Sequence, residues 1–538
     1  MKKQIMLSSL VLLMAGLLAG CGSKSASSRK TISLMQSSDL LSLDTSNHAD
    51  LTEFNVLVNS MEGLYRTNKA NNPSVAMATN IAKPTNHGKT YTFHLRKNAR
   101  WSNGDPVTAT DFVDAWERSV SPKAQSGYNY IFSGIKNADQ ISDGKKSSKT
   151  LGVKALGKHT FQVQLEHPMP YFDRMMILPA FYPQDHKLVQ KYGKAYGTKS
   201  KNMAYNGAFK VTGWNGTNDQ WTLKRNIHYY DQKAIHLNEI RMQVIKDANT
   251  AHDLFSQNKL DDATITGVTA KGLQKNKDLI HTSKAGTYYI QLNTRKNRAL
   301  RNSNLRQAIS LVIDRNKLTK DILADGSTPA DTYTATHLAI DPTTGKDFAA
   351  ETTPTDSYDI PRAKELWGEG LKEIHQKGDL KLSLDGDDQT ITKNVSQYIQ
   401  SAIQTNLPGA KVSIKSLPDK GVLQNQTDGS FDLMQTFWLA DYADPSNFLG
   451  IMKSSNPQNY GKYSNASFDG YLNEAASKSA NNQKIYWENM RNAEKTLNRT
   501  TAVIPLYHMV ESHLINPSLK GVLRHPVGED DYTRAYLK

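Results

Sequence analysis

The sequence predicts a mixed α/β fold. Two kinds of segment predict it: short stretches in which apolar and polar residues alternate, as in half-buried strands, and longer stretches with apolar residues every three or four positions, as in helices. The two kinds alternate along the chain, without an internal repeat or a coiled-coil heptad pattern. We therefore expect strands and helices to be interleaved in α/β domains.

Individual elements follow from these patterns in chain order. Residues 91–95 and 161–165 alternate with a period of two and predict strands. Residues 108–120 predict a helix, because Thr108 and Asp111 have the spacing of a capping box. Further helices are predicted at residues 303–323, 359–377 and 468–497, and further strands at residues 381–384 and 431–437.

The composition restricts the class of protein. At roughly 100–200 residues per domain, 538 residues allow two to four domains. A hydrophobic fraction of 38% and a charged fraction of 22% fit a globular protein and exclude a polytopic membrane protein or a disordered chain. The 66 basic and 51 acidic residues give a formal net charge of +15, which suits anionic lipid, nucleic acid or cell-wall polymers equally. A single Cys excludes a disulfide framework and a Cys-based zinc site.

The first 30 residues predict export and attachment to a membrane. Two lysines precede an apolar run at residues 5–18, which is too short for a membrane span and is typical of a signal peptide. Leu-Ala-Gly-Cys at residues 18–21 resembles the lipobox of bacterial lipoproteins, in which the Cys thiol carries a diacylglycerol after cleavage. We expect a signal peptide at residues 1–20, lipidation of Cys21 and a flexible tether at residues 21–30. The alternative is an ordinary signal peptide followed by a stray Cys.

The segments after the tether contain no run of 18 apolar residues. We therefore expect the rest of the chain to be a soluble body held by the lipid anchor at the extracellular face of the cell membrane, in a Gram-positive bacterium. Removal of the signal peptide leaves a formal net charge of +13, which would favour anionic headgroups and teichoic-type polymers.

Sequence motifs of enzymes and of metal or nucleotide sites are missing. Gly-Lys-Thr at residues 88–90 lacks the first glycine of a phosphate-binding loop, because Lys83 stands in its place. The acidic run at residues 385–388 lacks the spacing of an EF-hand and predicts a turn. Neither an HExxH nor a GxSxG motif is present. We therefore expect no catalytic residues, metal or cofactor.

A series of motifs resembles the family 5 extracellular solute-binding proteins, which serve ABC importers for peptides, nickel and related solutes. The motifs occur in the family's order and cover essentially all of the mature chain. They lie at residues 62–66, 91–96, 99–112, 206–209, 223–226, 305–309, 313–315 and 504–507. Within the family, Trp-Leu-Ala-Asp-Tyr-Ala-Asp-Pro at residues 438–445 is similar to the oligopeptide-binding branch. The nickel and glutathione branches match less well there.

The resemblance implies an α/β bilobal clamp of the type II periplasmic-binding-protein kind, with an additional small domain and two hinge crossovers. A ligand that contacts both lobes would then favour the closed state. The expected divisions are lobe I at residues 30–75, 200–292 and 505–538, the appended domain at residues 76–199, lobe II at residues 293–504, and crossings near residues 292–294 and 504–506.

The same resemblance implies a peptide site. Asp441 would pair with the α-ammonium of a peptide, and enclosure with Trp438 would strengthen this pairing. Leu439 and Ala440 would lend backbone groups to an added peptide strand. The other expected ligand contacts are Tyr442, Tyr128, Tyr289 and Asn293. As alternatives, Asp441 could cap a loop or pair with an arginine, and the tyrosines and Asn293 could be structural.

Two positions depart from family members that hold short peptides by the carboxylate. Gln435 and Gln426 stand where those members carry arginines. Without guanidinium groups a peptide carboxylate loses its bidentate partner at these positions. We therefore expect the peptide C terminus to be free there, and peptides longer than about three or four residues to be accepted.

The expected function is the capture of oligopeptides and their delivery to the permease subunits of an ABC importer, by a monomer that binds no nucleic acid. A peptide-pheromone receptor on the same scaffold is one alternative. A binder of nickel chelates, glutathione or sugars is another, and an extracellular hydrolase or an adhesin is the alternative of a different class.

Overall fold

A computed structural model describes residues 30–46, 51–126, 128–352, 354–355 and 357–538. The predicted signal peptide, Cys21 and all but the last residue of the tether lie outside these residues. Among the helices of the described residues, none is long and apolar enough to cross a membrane.

The strands are β1 (Thr31–Gln36), β2 (Tyr65–Thr67), β3 (Pro73–Val75), β4 (Thr90–His94), β5 (Val153–Gly157), β6 (Thr160–Gln164), β7 (Phe209–Thr212), β8 (Gln220–Arg225), β9 (Glu239–Val244), β10 (Asp262–Ile265), β11 (Leu279–Leu292), β12 (Thr328–Pro329), β13 (Leu380–Asp387), β14 (Ala410–Leu417), β15 (Leu433–Leu439), β16 (Val503–Ile515), β17 (Leu519–Lys520) and β18 (Tyr536–Leu537).

The α-helices are α1 (Leu51–Ser60), α2 (Ala109–Ser119), α3 (Ala138–Ser142), α4 (Phe172–Met175), α5 (His186–Tyr192), α6 (Ala248–Ser256), α7 (Gly267–Gly272), α8 (Ser303–Leu311), α9 (Arg315–Lys317), α10 (Ile360–Glu373), α11 (Thr390–Asn406), α12 (Asp419–Asp428), α13 (Ser446–Leu449), α14 (Ala466–Ala475) and α15 (Gln483–Arg499).

Eleven strands of the described chain form the main sheet. Their order is β14-β13-β15-β11-β16-β10-β1-β9-β8-β7, and the short β12 pairs with β16. Towards one end β1 runs parallel to both β9 and β10, and towards the other β13 runs parallel to both β14 and β15. The long antiparallel strands β11 and β16 lie between them. The sheet therefore consists of two sections, each with parallel strands, joined through two long strands.

The chain passes between the two sections inside β11 and β16. The first half of β11 pairs with the second half of β16, which also pairs with β10. The second half of β11 pairs with the first half of β16 and with β15, and the register shifts between Ser283 and Thr287. These two strands therefore join the two sections, and the expected crossings near residues 292–294 and 504–506 stay a prediction. The division of the remaining chain into lobes stays a prediction.

The buried apolar side chains form several clusters that follow these sections. The largest cluster contains Ile32 and Ile240 of the first section together with Trp116 and Phe161 of the region 76–199. Another cluster packs α8, α10 and α11 against β11 and β13. A third joins α14 and α15 to β11. Because the region 76–199 shares its core with the first section, the two pack as one body.

Most predicted elements are confirmed. Strands β4, β6, β13 and β15 overlap the four predicted strands, and α10 lies within the predicted helix at residues 359–377. Helix α2 begins directly after Thr108, whose backbone amide and hydroxyl donate to Asp111 Oδ2 at 2.8 and 3.0 Å. The capping box is therefore confirmed.

Two predicted long helices are interrupted, so the predictions of single helices at residues 303–323 and 468–497 are wrong. Helix α8 ends at Leu311, and the Asp314 carboxylate then accepts a hydrogen bond from the Lys317 amide at 3.0 Å and starts a new helix. Asn482 similarly accepts from the Ile485 amide at 3.3 Å and starts α15. A polar side chain that bonds the backbone locally can end an apolar helical pattern.

Candidate ligand-binding site

One edge of strand β15 is open in the part of the sheet that borders the junction of the two sections. On one side, β15 pairs with β11 along its whole length, from Leu433 opposite Leu292 to Leu439 opposite Gly286. On the other side, β13 pairs only with Leu433 and Met434. Among the described residues no further strand continues this pairing beside residues 436–439. Their backbone is therefore available to an added strand.

The carboxylate of Asp441 lies directly after this edge and is held by neutral donors. The Tyr128 hydroxyl donates to Oδ1 at 2.5 Å, and the Tyr130 hydroxyl and Asn447 Nδ2 donate to Oδ2 at 3.3 and 3.2 Å. No lysine, arginine or histidine of the described residues forms an ion pair with it. Burial raises the pKa of Asp441, and the three hydrogen bonds only oppose this effect. The charged carboxylate therefore lacks a compensating cation.

Asn447, at the start of helix α13, fixes the shape of this group. Its Oδ1 accepts hydrogen bonds from Trp438 Nε1 at 2.8 Å and from the Asp441 amide at 3.1 Å. Since its Nδ2 donates to the Asp441 carboxylate, one amide side chain orients both Trp438 and Asp441. Asn447 and Tyr130 were not predicted as site residues.

The region 76–199 closes over the same loop. Besides the Tyr128 contact, the ring of Tyr171 stacks on Tyr442 with centroids 5.0 Å apart and an angle of 9° between the planes. The Arg174 guanidinium donates to the Ala443 carbonyl at 2.6 Å. Ala440 is buried, and its amide donates to the Ala285 carbonyl at 2.9 Å. The predicted residues of the motif are therefore held between two bodies of the protein.

Three openings border residues 438–442, with cavity volumes of about 150, 70 and 320 Å³. Leu439 lines the first, Asp441 and Tyr442 line the second and third, and Trp438 lines the third. Pockets of about 300–1,000 Å³ accommodate small ligands, and the third opening, lined by Trp438, Asp441 and Tyr442, reaches this range.

Tyr289 and Asn293 form no hydrogen bond with Asp441, although Tyr289 shares a buried cluster with Ala440 and Trp438. The Tyr289 side chain is 4% exposed and packs edge-on against Tyr333 with ring centroids 5.0 Å apart. Asn293 is 1% exposed, donates to the Gly429 carbonyl at 3.0 Å and accepts from two backbone amides of the following turn. Neither residue lines the three openings. Both therefore have structural contacts, and their role as ligand contacts stays a prediction.

The structure also shows the contacts of Gln435 and Gln426, the two glutamines that stand where other family members carry arginines. Gln435 is buried in β15, and its Oε1 accepts from the Ser396 hydroxyl of α11 at 2.9 Å. Gln426 of α12 donates to the Thr436 hydroxyl at 3.3 Å. No guanidinium takes part in these contacts, so the expectation that the peptide C terminus is not fixed here stays a prediction.

An unpaired strand edge and an uncompensated carboxylate, located where two sections of a bilobal α/β sheet meet, are features of a solute-binding clamp. A family model described as "Bacterial extracellular solute-binding proteins, family 5 Middle" matches residues 72–460. The chain belongs to this family.

Individual relatives cover nearly the whole chain. The dipeptide-binding protein of Lactococcus lactis subsp. cremoris is 36% identical over 100% of this chain and 99% of its own. The structure of Listeria monocytogenes OppA bound to peptide has a TM-score of 0.80 and 34% identity, covering 95% of this chain and 99% of that one. The structure of the pheromone receptor PrgZ has a TM-score of 0.81 and 35% identity, covering 95% and 100%. The predicted family and the bilobal α/β fold are confirmed.

Proposed function

We propose that this protein is an oligopeptide-binding receptor that captures peptides between its two lobes and delivers them to an ABC importer. The observation that carries this proposal is the Asp441 carboxylate, which accepts three hydrogen bonds from neutral donors and faces no cation of the described residues. A desolvated anion gains most from a ligand that brings a positive charge. Every unmodified peptide brings one at its N terminus.

The open edge of β15 favours a peptide over other cations. Backbone groups at residues 436–439 can pair with an extended chain, and such pairing recognises what all peptides share. The openings beside the edge leave space for side chains. An ammonium anchor followed by a strand edge therefore selects a free N terminus and an extended backbone, and it imposes little selection on sequence.

Relatives support the same class of ligand. Two similar proteins are named for dipeptides and oligopeptides, and another similar structure, from Bacillus anthracis, is titled as the substrate-binding domain of an oligopeptide ABC transporter. These names belong to the other proteins. Combined with the geometry at Asp441, they make a peptide the ligand we propose here.

Calorimetry with a matched pair of peptides tests the proposal. A tetrapeptide with a free amino terminus should bind at least about 30-fold more tightly than its N-acetylated form, because removing one partner of a buried charge pair costs about 2 kcal/mol or more. Mass spectrometry of ligands released from protein expressed in a peptide-rich medium should show peptides. Equal affinity for both forms, or release of only nickel chelates or glutathione, would reject the proposal.

A pheromone receptor on the same scaffold is the second candidate, and the similarity to the structure of the pheromone receptor PrgZ favours it. A receptor of this kind needs pockets that recognise particular side chains. Competition separates the two roles: a mixture of random peptides should displace a bound peptide from a general carrier but leave a pheromone bound.

The proposal extends to an anchored, non-catalytic monomer outside the cytoplasm. Cys21 would carry the lipid, so Cys21→Ser should release the protein from the membrane fraction into the medium. Peptide incubated with the protein should be recovered intact. Cleaved peptide would contradict the non-catalytic role, and a Cys21→Ser protein that stays membrane-bound would contradict the lipid anchor.

A further inference from the structure

The opening beside Leu439 contains a group of buried and half-buried charged side chains that the ammonium anchor does not use. It is lined by strands of the first section, by the crossing strands β11 and β16, and by the C-terminal segment. The charged residues that line it are Asp262, Lys284, Glu511, His513, Glu529 and Asp530.

Part of this group is neutralised internally. Arg524 forms ion pairs with both Asp262 and Asp530. Asp262 also accepts from the Tyr532 hydroxyl at 2.7 Å and lies 2.9 Å from His513 Nδ1. Although burial opposes the charged form, Asp262 and Glu511 raise the pKa of His513 to about 9, so the imidazole is cationic at neutral pH. An arginine that already lies between the two aspartates leaves no place for a metal ion.

The contacts of the Lys284 ammonium are long in comparison. Lys284 is 5% exposed, and its Nζ lies 3.1 Å from the Gly528 carbonyl and 3.4 Å from the His525 carbonyl. Although burial opposes the charged form, Glu511, Asp530 and Glu529 raise the pKa of Lys284, and Glu511 Oε2 lies 3.5 Å from its Nζ. Strong charge-assisted hydrogen bonds measure about 2.7–2.9 Å, so these contacts are long.

Glu511 bridges two cations from a position that it can leave. The same Oε2 lies 3.5 Å from His513 Nε2, which has no hydrogen bond although it is buried. The Glu511 side chain is 38% exposed, whereas those of Lys284 and His513 are only 6% and 8% exposed. The two cations are therefore fixed, and the carboxylate between them can turn towards solvent.

This pair of cations lies beside the proposed peptide path. Gly286 of β11 is opposite Leu439, and the neighbouring Ala285 carbonyl accepts from the Ala440 amide at 2.9 Å. Lys284 directly precedes Ala285 in β11, and both Lys284 and Leu439 line the opening. Because Leu439 is the last residue of the open edge, the opening adjoins the end of the proposed peptide path next to Asp441.

We propose that Lys284 and His513 bind a carboxylate of the peptide ligand, which replaces Glu511 between them; this inference rests on the proposed function. The replacement leaves the number of charges in the opening unchanged, since one carboxylate leaves as another enters. The ligand carboxylate is either the C terminus of a short peptide or an acidic side chain near the N terminus of a longer one. Although burial works against ionisation, Lys284 and His513 lower the pKa of Glu511 to about 2, so the site stabilises a carboxylate.

Two pairs of peptides distinguish the sources of the carboxylate. In the first pair, trialanine is compared with its C-terminal amide. In the second, Ala-Glu-Ala-Ala amide is compared with Ala-Gln-Ala-Ala amide. All four peptides keep a free amino terminus, so binding at Asp441 is common to them. The measured quantity is the ratio of dissociation constants within each pair, obtained by calorimetry for the full mature chain.

In the wild type, at least one pair should favour the carboxylate form by about tenfold or more, which corresponds to about 1.4 kcal/mol. Lys284→Met should reduce that ratio to less than about twofold, and Glu511→Gln should increase it because the internal competitor is gone. Lys224→Met is the matched control. Lys224 is exposed, its Nζ lies 3.6 Å from Glu239 Oε1, and it does not line this opening, so its substitution should leave the ratio unchanged.

Ratios near one for both pairs in the wild type would overturn the inference, as would a ratio that Lys284→Met leaves intact. A merely structural role for Lys284 would weaken both members of a pair equally. Should Lys284→Met fail to fold, a ratio that Glu511→Gln leaves unchanged or lowers would be decisive against the inference. Sensitivity to N-acetylation with ratios near one would preserve the proposed function alone, and absence of peptide binding would reject both.

Discussion

Replacing Asp441 with asparagine preserves the shape of the side chain and removes its charge. The carboxylate accepts hydrogen bonds from Tyr128, Tyr130 and Asn447, and burial raises its pKa. The protein therefore stabilises this charge poorly and leaves its compensation to the ligand. Loss of a buried charge partner costs about 2–5 kcal/mol, so the affinity for a peptide with a free amino terminus should fall roughly 30- to 5,000-fold.

The same substitution should leave the unliganded protein folded and about as stable as before. Asparagine keeps Oδ1 as an acceptor for the Tyr128 hydroxyl, while its Nδ2 faces groups that donate to Asp441 Oδ2 in the wild type. A lost hydrogen bond costs about 1 kcal/mol, and removal of a desolvated charge offsets it. We expect Tm to change by no more than about 2 °C.

Asp444 provides the matched control. It belongs to the same motif and is also buried, but it accepts from the Tyr486 hydroxyl at 2.5 Å and from the Ser446 amide at 2.9 Å. Asp444→Asn should lower Tm and preserve the preference for a free over an acetylated N terminus. For each of the two variants, calorimetry gives the preference for a free over an acetylated N terminus, and thermal unfolding gives Tm. The reasoning is refuted if Asp441→Asn binds both peptide forms like the wild type, or if its only effect is a large loss of Tm.

Two further variants test the surroundings of the site and the core. Tyr128→Phe removes the shortest hydrogen bond to Asp441, so peptide affinity measured by calorimetry should fall about tenfold. The loss should be larger at pH 5 than at pH 7, because without this donor the pKa of the Asp441 carboxylate rises. A loss of affinity that does not depend on pH would contradict this. Burial lowers the pKa of His508 to about 4, so the unfolded chain takes up its proton first and up to about 3 kcal/mol of stability should be lost between about pH 6.5 and 4. Urea unfolding should show a weaker acid dependence for His508→Gln, and an unchanged dependence would refute the assignment.

The part of the site that the sequence predicts is contiguous. Trp438, Leu439, Ala440, Asp441 and Tyr442 stand together in one motif, and the structure keeps them together because they form the end of β15 and the loop after it. The motif also contains a strand with an apolar pattern, so its secondary structure and its position could both be inferred. What it could not supply is the set of donors around the carboxylate.

Those donors come from distant parts of the chain. Tyr130 is 311 residues away from Asp441, and no local pattern separates it from an ordinary core tyrosine. Asn447 is only six residues away, but its role depends on the turn that brings its amide under Trp438. Lys284 has no sequence signal either, because its burial follows from the crossing of β11 between the two sections. Contacts set by tertiary packing are not encoded in short patterns.

Helix ends could be predicted from the sequence only where the capping partners are close together in the chain. The capping box at Thr108 was predicted because both partners lie within four residues. The break after α8 was missed because the apolar period of residues 303–323 continues through it. There, Asp314 caps a new helix, and the Arg315 guanidinium donates to the Pro505 carbonyl of β16 at 2.7 Å. These local contacts end the helix although the apolar pattern continues. Periodicity reports which face is buried, and it does not report where a helix ends.

The arrangement around Asp441 also explains how ligand binding could be coupled to closure. Tyr128 and Tyr130 belong to the region that packs with the first section, whereas Asp441 and Asn447 follow β15 of the second section. Closure of the clamp would therefore bring the tyrosines over the carboxylate and remove water from it, which is unfavourable for an ion without a partner. An ammonium that arrives with the ligand compensates this cost only when the tyrosines and Asp441 meet. Since a ligand shifts an equilibrium by its differential affinity for the two states, a peptide with a free amino terminus should favour closure more than the same peptide without that charge.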